Sequence, residues 1–436
     1  MGVKTCLKRW DNNNQFYFVI YTMLASFFTY SCMYAFRKPF TVATYGDLHL
    51  WGVHYKIWLI TSQVIGYTLS KFIGIKLVSE MTSSKRALTL LIAVGIAQTA
   101  LLLFAITPAP YNIVWMFFNG LPLGIIWGLV FSYLEGRRTT ELLGAGLSIS
   151  FIFSSGFVKT TGKLLMQNFN ITEIWMPFMT GLLFTLPLIC SVWLLNQVPA
   201  PNEEDNAMRT LRKPMSKIER KDFFHRFSMI IIPLTFIYIF LTILRDIRDN
   251  FAAEIWESLG KGTNSAIFTT AEIPVGFGVL VVISLMVLIR NNLKALYFSI
   301  LTVILGLILN ILATLAFRGT IMGGYTWMVM VGFGLYIGYI AFHALIFERL
   351  IATFRYIGNV GFLFYFADAF GYLGSVSSFI LKNFFSADIS WLNFFSGMII
   401  NLSVSGIALC LFTLFIIKSQ YKKKSSINFM LINKAL

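Results

Sequence analysis

Residues 202–222 read NEEDNAMRTLRKPMSKIERKD, the one long polar stretch in an otherwise apolar chain. On either side lie runs of about 20 mostly apolar residues, the length an α-helix needs to cross a hydrocarbon core. Six runs precede the stretch, near 15–36, 56–78, 87–106, 113–133, 142–166 and 174–196. Six follow it, near 227–247, 267–289, 296–317, 324–346, 358–382 and 391–417. The polar stretch therefore reads as a linker, and the expected fold class is an all-α polytopic membrane protein with twelve transmembrane helices in two six-helix halves. The expected bounds are a bundle at 1–196, a cytoplasmic linker at 197–226, a second bundle at 227–417 and a basic cytoplasmic tail at 418–436.

Composition agrees. Of 436 residues 57% are hydrophobic and only 12% charged, against about 25% charge in soluble domains. A soluble enzyme is excluded as the leading idea, and no enzymatic activity is expected. An outer-membrane barrel is disfavoured because its strands alternate apolar and polar residues, whereas these runs are continuous. The 43 Phe, 18 Tyr and 10 Trp suit a surface bathed in acyl chains with aromatic residues at its interfaces.

A net charge of +16 would suggest nucleic acid in a soluble chain, but here its placement decides. The segments on the side of the amino terminus and linker hold 24 Lys and Arg, and the opposite loops hold 7. By the positive-inside rule both termini and the linker are cytoplasmic. The expected location is the cell inner (plasma) membrane, with Lys422, Lys423 and Lys424 facing anionic lipid and no nucleic-acid partner. The first run is longer than a signal-peptide core and lacks a small-residue cleavage site, so it is expected to stay as a helix. Cys6, Cys32, Cys190 and Cys410 lie far apart without metal-ligand spacing, and neither a metal nor a cofactor is expected. No GxxxxGK[ST] loop is present, which favours a gradient or an exchange over ATP as the energy source.

Two halves should share local patterns, and the first run of each does. Tyr30, Tyr34 and Arg37 recur as Tyr238, Thr242 and Arg245 with the same +4 and +3 steps, which keep three side chains on one helical face. Ionisable groups inside a span cost about 2.5–3.5 kcal/mol on insertion scales and are functional candidates by default. Arg37 and Arg245 could face each other across a central cavity, where guanidinium forks match phosphate or carboxylate. The alternative is that both snorkel to an interface.

Other stripes carry further candidates. The second run has Gln63, Tyr67, Ser70 and Lys71, with Lys71 near mid-span; the fifth has Ser148, Ser155, Lys159 and Lys163. Glu272, Asp368 and His343 could carry a coupling proton, or the two acids could neutralise buried bases and the histidine could be a packed, hydrogen-bonded residue. Six basic groups, Arg37, Lys38, Lys71, Lys159, Lys163 and Arg245, face those two acids, so a cavity formed here should attract anions.

Several strings resemble a known family. YAFRKPF at 34–40 is similar to Tyr-x-x-Arg-Lys-x-Phe, and GYTLSKFIG at 66–74 is similar to Tyr-Gly-x-Ser-Lys-Phe, both from the organophosphate:phosphate antiporters of the major facilitator superfamily. GLPLGIIWG at 120–128 keeps that family's Gly, Gly, Trp spacing, and HAL from His343 and FGYLGS from Phe370 are close to its strings. Members of that superfamily are built from two repeated halves related about the membrane normal. The resemblance implies rocker-switch alternating access, with Arg37 and Arg245 gripping phosphate and Lys38 and Lys71 nearby. Tyr34, Tyr67 and Lys159 complete the substrate-binding candidates. Three departures stand out: FSSG at 153–156 replaces the family's histidine, GIKLVSEMTSSKR at 74–86 keeps only traces of the superfamily loop, with Glu80 as one remnant, and Asp246, Arg248 and Asp249 crowd Arg245.

The expected function is a secondary transporter for a small phosphorylated organic anion, by antiport or proton symport, acting as a monomer. The alternatives are a transporter-like receptor that senses the anion without moving it, and a transporter of an uncharged or lipid substrate in which the basic residues are structural.

Overall fold

The computed structural model describes residues 3–46, 48–79, 81–137, 139–203, 205, 217–354, 360–385 and 389–435. Glu80 and most of 202–216 lie outside the described residues. Twelve long helices follow one another: α1 Gln15–Tyr34, α2 Tyr55–Ser79, α3 Arg86–Ile106, α4 Ile113–Phe131, α5 Thr140–Phe169 and α6 Met176–Asn196. Then come α7 Lys217–Asn250, α8 Ile267–Val287, α9 Asn292–Arg318, α10 Gly324–Phe354, α11 Val360–Phe385 and α12 Trp391–Ala435. Eleven of these, among the described residues, are long and apolar enough to cross a membrane. The exception is α2, 25 residues long but diluted by Gln63, Thr68, Ser70 and Lys71, three of which it turns inward.

Helix ends differ from the sequence bounds at two places. α7 starts at Lys217, inside the stretch read as linker, and α12 runs unbroken to Ala435, through the stretch read as tail. No proline or glycine occurs at 217–226 or at 418–436, so the helical hydrogen-bond ladder continues past the apolar part at both places. A short helix, Val3–Asn13, precedes α1, and its Leu7 is buried. A two-strand hairpin between α1 and α2 pairs His49 with His54.

Leu186, Phe277, Leu288 and Phe415 project from the outside of the bundle, as expected of a surface solvated by lipid. In lipid, helices associate through close packing and hydrogen bonds rather than apolar burial, so small residues mark the contacts. α2 and α4 cross where Gly66 meets the Phe117 carbonyl and Gly120 meets the Gln63 carbonyl; a Cβ at either would sit 2.3 or 2.1 Å from that oxygen. The helical segment of α4 that contains Pro122, whose ring removes a ladder donor, stops at Leu123 and the helix resumes at Ile126.

The halves meet along α5 against α8 and α2 against α11. Because successive helices alternate in direction, the Asn14, Gln197, Lys217 and Lys418 ends share one face, here the terminal face; the other is the distal face. Gly156 of α5 lies against α8 in the distal half of that seam, where a Cβ would stand 2.2 Å from the Phe268 carbonyl oxygen. Gly156→Val is therefore expected to push α5 and α8 apart at the distal face and lower the melting midpoint, since overpacking costs about 1–3 kcal/mol or more against backbone. Gly95→Val, where nothing lies within 4 Å of the added Cβ, is the control. Equal melting curves for the two variants would refute the seam assignment.

Candidate functional site

Pro39 brings the first functional residue into place. Having no N–H, it ends the α1 ladder, and residues 35–38 form a turn after Tyr34. The carbonyls this leaves must find donors inside the protein. Asn119 of α4 donates to the Phe36 carbonyl at 2.9 Å, and Gln63 of α2 donates to the Arg37 carbonyl at 3.0 Å and to Asn119 Oδ1 at 2.7 Å. The Arg37 backbone is thus fixed from two neighbouring helices.

Arg37 is 4% exposed and its guanidinium lies over Tyr67, the guanidinium carbon 3.7 Å from the ring centroid. Tyr372 of α11 flanks it at 5.8 Å. Among the described residues no carboxylate and no hydrogen-bond acceptor meets the guanidinium, and Nε is buried without a partner. Cation–π contact offers about 2 kcal/mol when desolvated, less than the several kcal/mol that burying an ion costs.

Arg245 has a different environment. Its Nε and Nη2 donate to Asp246 Oδ1 at 3.0 and 2.7 Å, and Nη1 donates to the Tyr339 hydroxyl. Its guanidinium also sits 5.1 Å from the Tyr372 centroid, so the two arginines flank one tyrosine ring. The spacing match between the halves is therefore local. α7 continues helically past Arg245, whereas α1 ends before Arg37, and only Arg245 carries its own acid.

Lys71 of α2 pairs with Asp368 of α11 across the halves at 3.0 Å. Tyr238 donates to the same carboxylate and lies 2.9 Å from His343 Nε2. His343 occupies a π-helical turn, Phe342–Ile346, an irregularity often found at functional positions.

Lys38 and Lys159 do not join Arg37. Both grip Asp249 of α7, Lys159 at 2.5 Å, with Ser155 donating to the same carboxylate and Lys38 also donating to Asn250 at 2.8 Å. Glu272 pairs with Arg248 at 2.6 Å within one half. Tyr34 stacks edge-on against Tyr30, 5.5 Å away, one turn before Arg37.

Sequence reasoning named Asp249 only as a neighbour of Arg245. Its place four residues on, along the same helical face, was the available signal. It did not find the ion pairs at either end of the seam. On the distal face Lys56, 1% exposed, meets Glu254 at 2.6 Å beside a cavity of about 320 Å³. On the terminal face Arg349 meets Glu141 at 2.8 Å and also donates to Asn292.

Residues 39–420 match a family of unknown function, DUF5690. The chain belongs to that family. No curated protein matches this DUF5690 member in sequence. Solved structures do match it in shape. A crystal structure of a D-xylose-proton symporter superposes with a TM-score of 0.60 at 14% identity, covering 91% of this chain and 96% of that one. The major facilitator superfamily proton:xylose symporter XylE bound to 6-bromo-6-deoxy-D-glucose superposes with a TM-score of 0.60 at 15% identity, covering 90% and 94%. The DUF5690 member therefore has the major facilitator fold and is a multi-pass membrane protein.

Proposed function

We propose that this protein is a secondary transporter of a small organic anion, phosphorylated as in the family its motifs resemble. It works by alternating access in the inner (plasma) membrane, with both termini cytoplasmic. The observation that carries this reading is Arg37, a buried guanidinium flanked by two tyrosine rings and, among the described residues, by no acid. An anion would supply the missing charge and accept its forked hydrogen bonds. Arg37, Tyr67 and Lys71 form the anion site in this reading, with Arg245 on the far side of Tyr372 and Tyr34 lining the approach. Lys38 and Lys159 act at the distal gate through Asp249.

Ion pairs between the halves at both faces suit the mechanism, because each must break in turn for the centre to open to one side. A ligand that binds the closed form better than either open form then promotes the switch.

The test is a thermal-shift series on the purified protein, followed by flux in proteoliposomes. Organic phosphates should raise the melting midpoint, since a ligand that binds only the folded state stabilises it; neutral sugars should not. Flux of the stabilising anion is then expected. Stabilisation without flux would replace transport by sensing, and stabilisation by neutral compounds alone would remove the anion reading.

A further inference from the structure

Lys71 faces the proposed anion site, yet it is already occupied. Its ammonium pairs at 3.0 Å with Asp368, a residue 5% exposed on the opposite half. An anion that uses Lys71 must take it from Asp368. The carboxylate then lies buried with its cation gone, a condition that favours its neutral form. We propose that Asp368 is the proton-coupling group of this protein: the anion takes Lys71, Asp368 binds a proton from the open side, and the proton leaves when the anion does and Lys71 returns. The inference rests on the proposed anion site. One O–H bond forms at Asp368 on loading and breaks on release, so one proton moves with each anion in the same direction.

The groups around Asp368 suit both of its states. From α2 come Lys71 and Tyr67, and Lys71 lies 5.1 and 5.6 Å from the Tyr67 and Tyr365 rings. From α7 comes Tyr238, which donates to the carboxylate, and beyond it Arg245, already held by Asp246 and Tyr339. From α10 come His343 and Tyr339, both in contact with the Tyr238 hydroxyl. On α11 itself Tyr365 and Tyr372 stand one turn to either side. Arg245 keeps its own acid throughout, so Lys71 is the cation whose loss Asp368 feels.

Hydrogen-bond direction can reverse along this chain. With Asp368 charged, Tyr238 donates to it and His343 donates from Nε2 to Tyr238. With Asp368 protonated, the acid donates to Tyr238, whose own hydrogen turns to the Tyr339 hydroxyl 3.1 Å away, while His343 keeps its Nε2 proton and goes on donating to Tyr238. Glu272 has no such competition, because its partner Arg248 lies in the same half. Asp249 is held by two lysines, so losing one leaves the other.

The experiment measures proton uptake when glycerol 3-phosphate binds the full-length protein in weak buffer near pH 8.5. Phosphate monoesters have a second pKa of about 6 and are dianions there, so protons taken up go to the protein. The expected result is about one proton per bound anion for the parent, none for Asp368→Asn and recovery in Asp368→Glu. Binding by the parent without proton uptake would overturn the proposal whether or not the variants fold, and so would uptake that persists in Asp368→Asn. Failure of the parent to bind glycerol 3-phosphate, inorganic phosphate or gluconate would instead remove the anion site, and the coupling with it.

Discussion

Arg37→Ala is expected to weaken anion binding by about 3 kcal/mol or more, roughly 10²-fold in Kd, while leaving the melting midpoint of the ligand-free protein unchanged or raised. Two separate arguments give the two signs. In the bound form the variant strands an anion in a buried site without its fork, the costly way to break a pair. In the free form no carboxylate among the described residues meets the guanidinium, so its removal relieves desolvation at the cost of two cation–π contacts, 3.7 Å over Tyr67 and 5.8 Å from Tyr372. Arg37→Lys keeps the charge and loses the fork, and should fall between parent and alanine. Arg245→Lys should act less on the anion, because Asp246 and Tyr339 already occupy that guanidinium. Thermal-shift titration reads both effects at once. An Arg37→Ala protein that responds to the same anion at the parent's concentrations would dismiss the site.

The fold was legible because its signal is long and redundant. Every apolar run is about as long as a membrane is thick, and the 202–222 stretch is the only polar interruption of its length. What sequence left open was pairing. Arg37 and Arg245 share a spacing pattern and look equivalent on a helical wheel, yet Pro39 breaks one helix and Asp246 neutralises the other arginine. The first difference follows from a local rule about proline; the second requires knowing which way Asp246 turns. Glu272 and Asp368 looked alike as lone acids in apolar runs. Packing separates them, since one meets a base of its own half and the other a base across the seam. Lys38 and Lys159 are 121 positions apart and meet on one carboxylate, a contact that no spacing rule predicts.

Asp249→Ala should give the opposite sign to Arg37→Ala in the free protein. Asp249 stands between Lys38 and Lys159, which are 4% and 3% exposed, and accepts hydrogen bonds from Lys159 and Ser155. Removing it leaves two buried ammoniums with like charges, and breaking a buried pair in this way costs about 3–5 kcal/mol. The folded protein has one cheap relief, which is to part the halves at the distal face and hydrate the lysines. The variant should therefore melt at lower temperature and populate a distal-open form, with the balance moved by roughly 10²-fold. Thr160 reports this movement, because its hydroxyl donates across the seam to the Ser265 carbonyl at 2.9 Å. A cysteine placed there should react faster with a membrane-impermeant maleimide in the Asp249→Ala background. Adding Lys38→Met and Lys159→Met should restore both the midpoint and the slow labelling, because an apolar trio needs no counter-ion. If Asp249→Ala melts and labels like the parent, the lysines find another acceptor and the carboxylate does not hold the halves together.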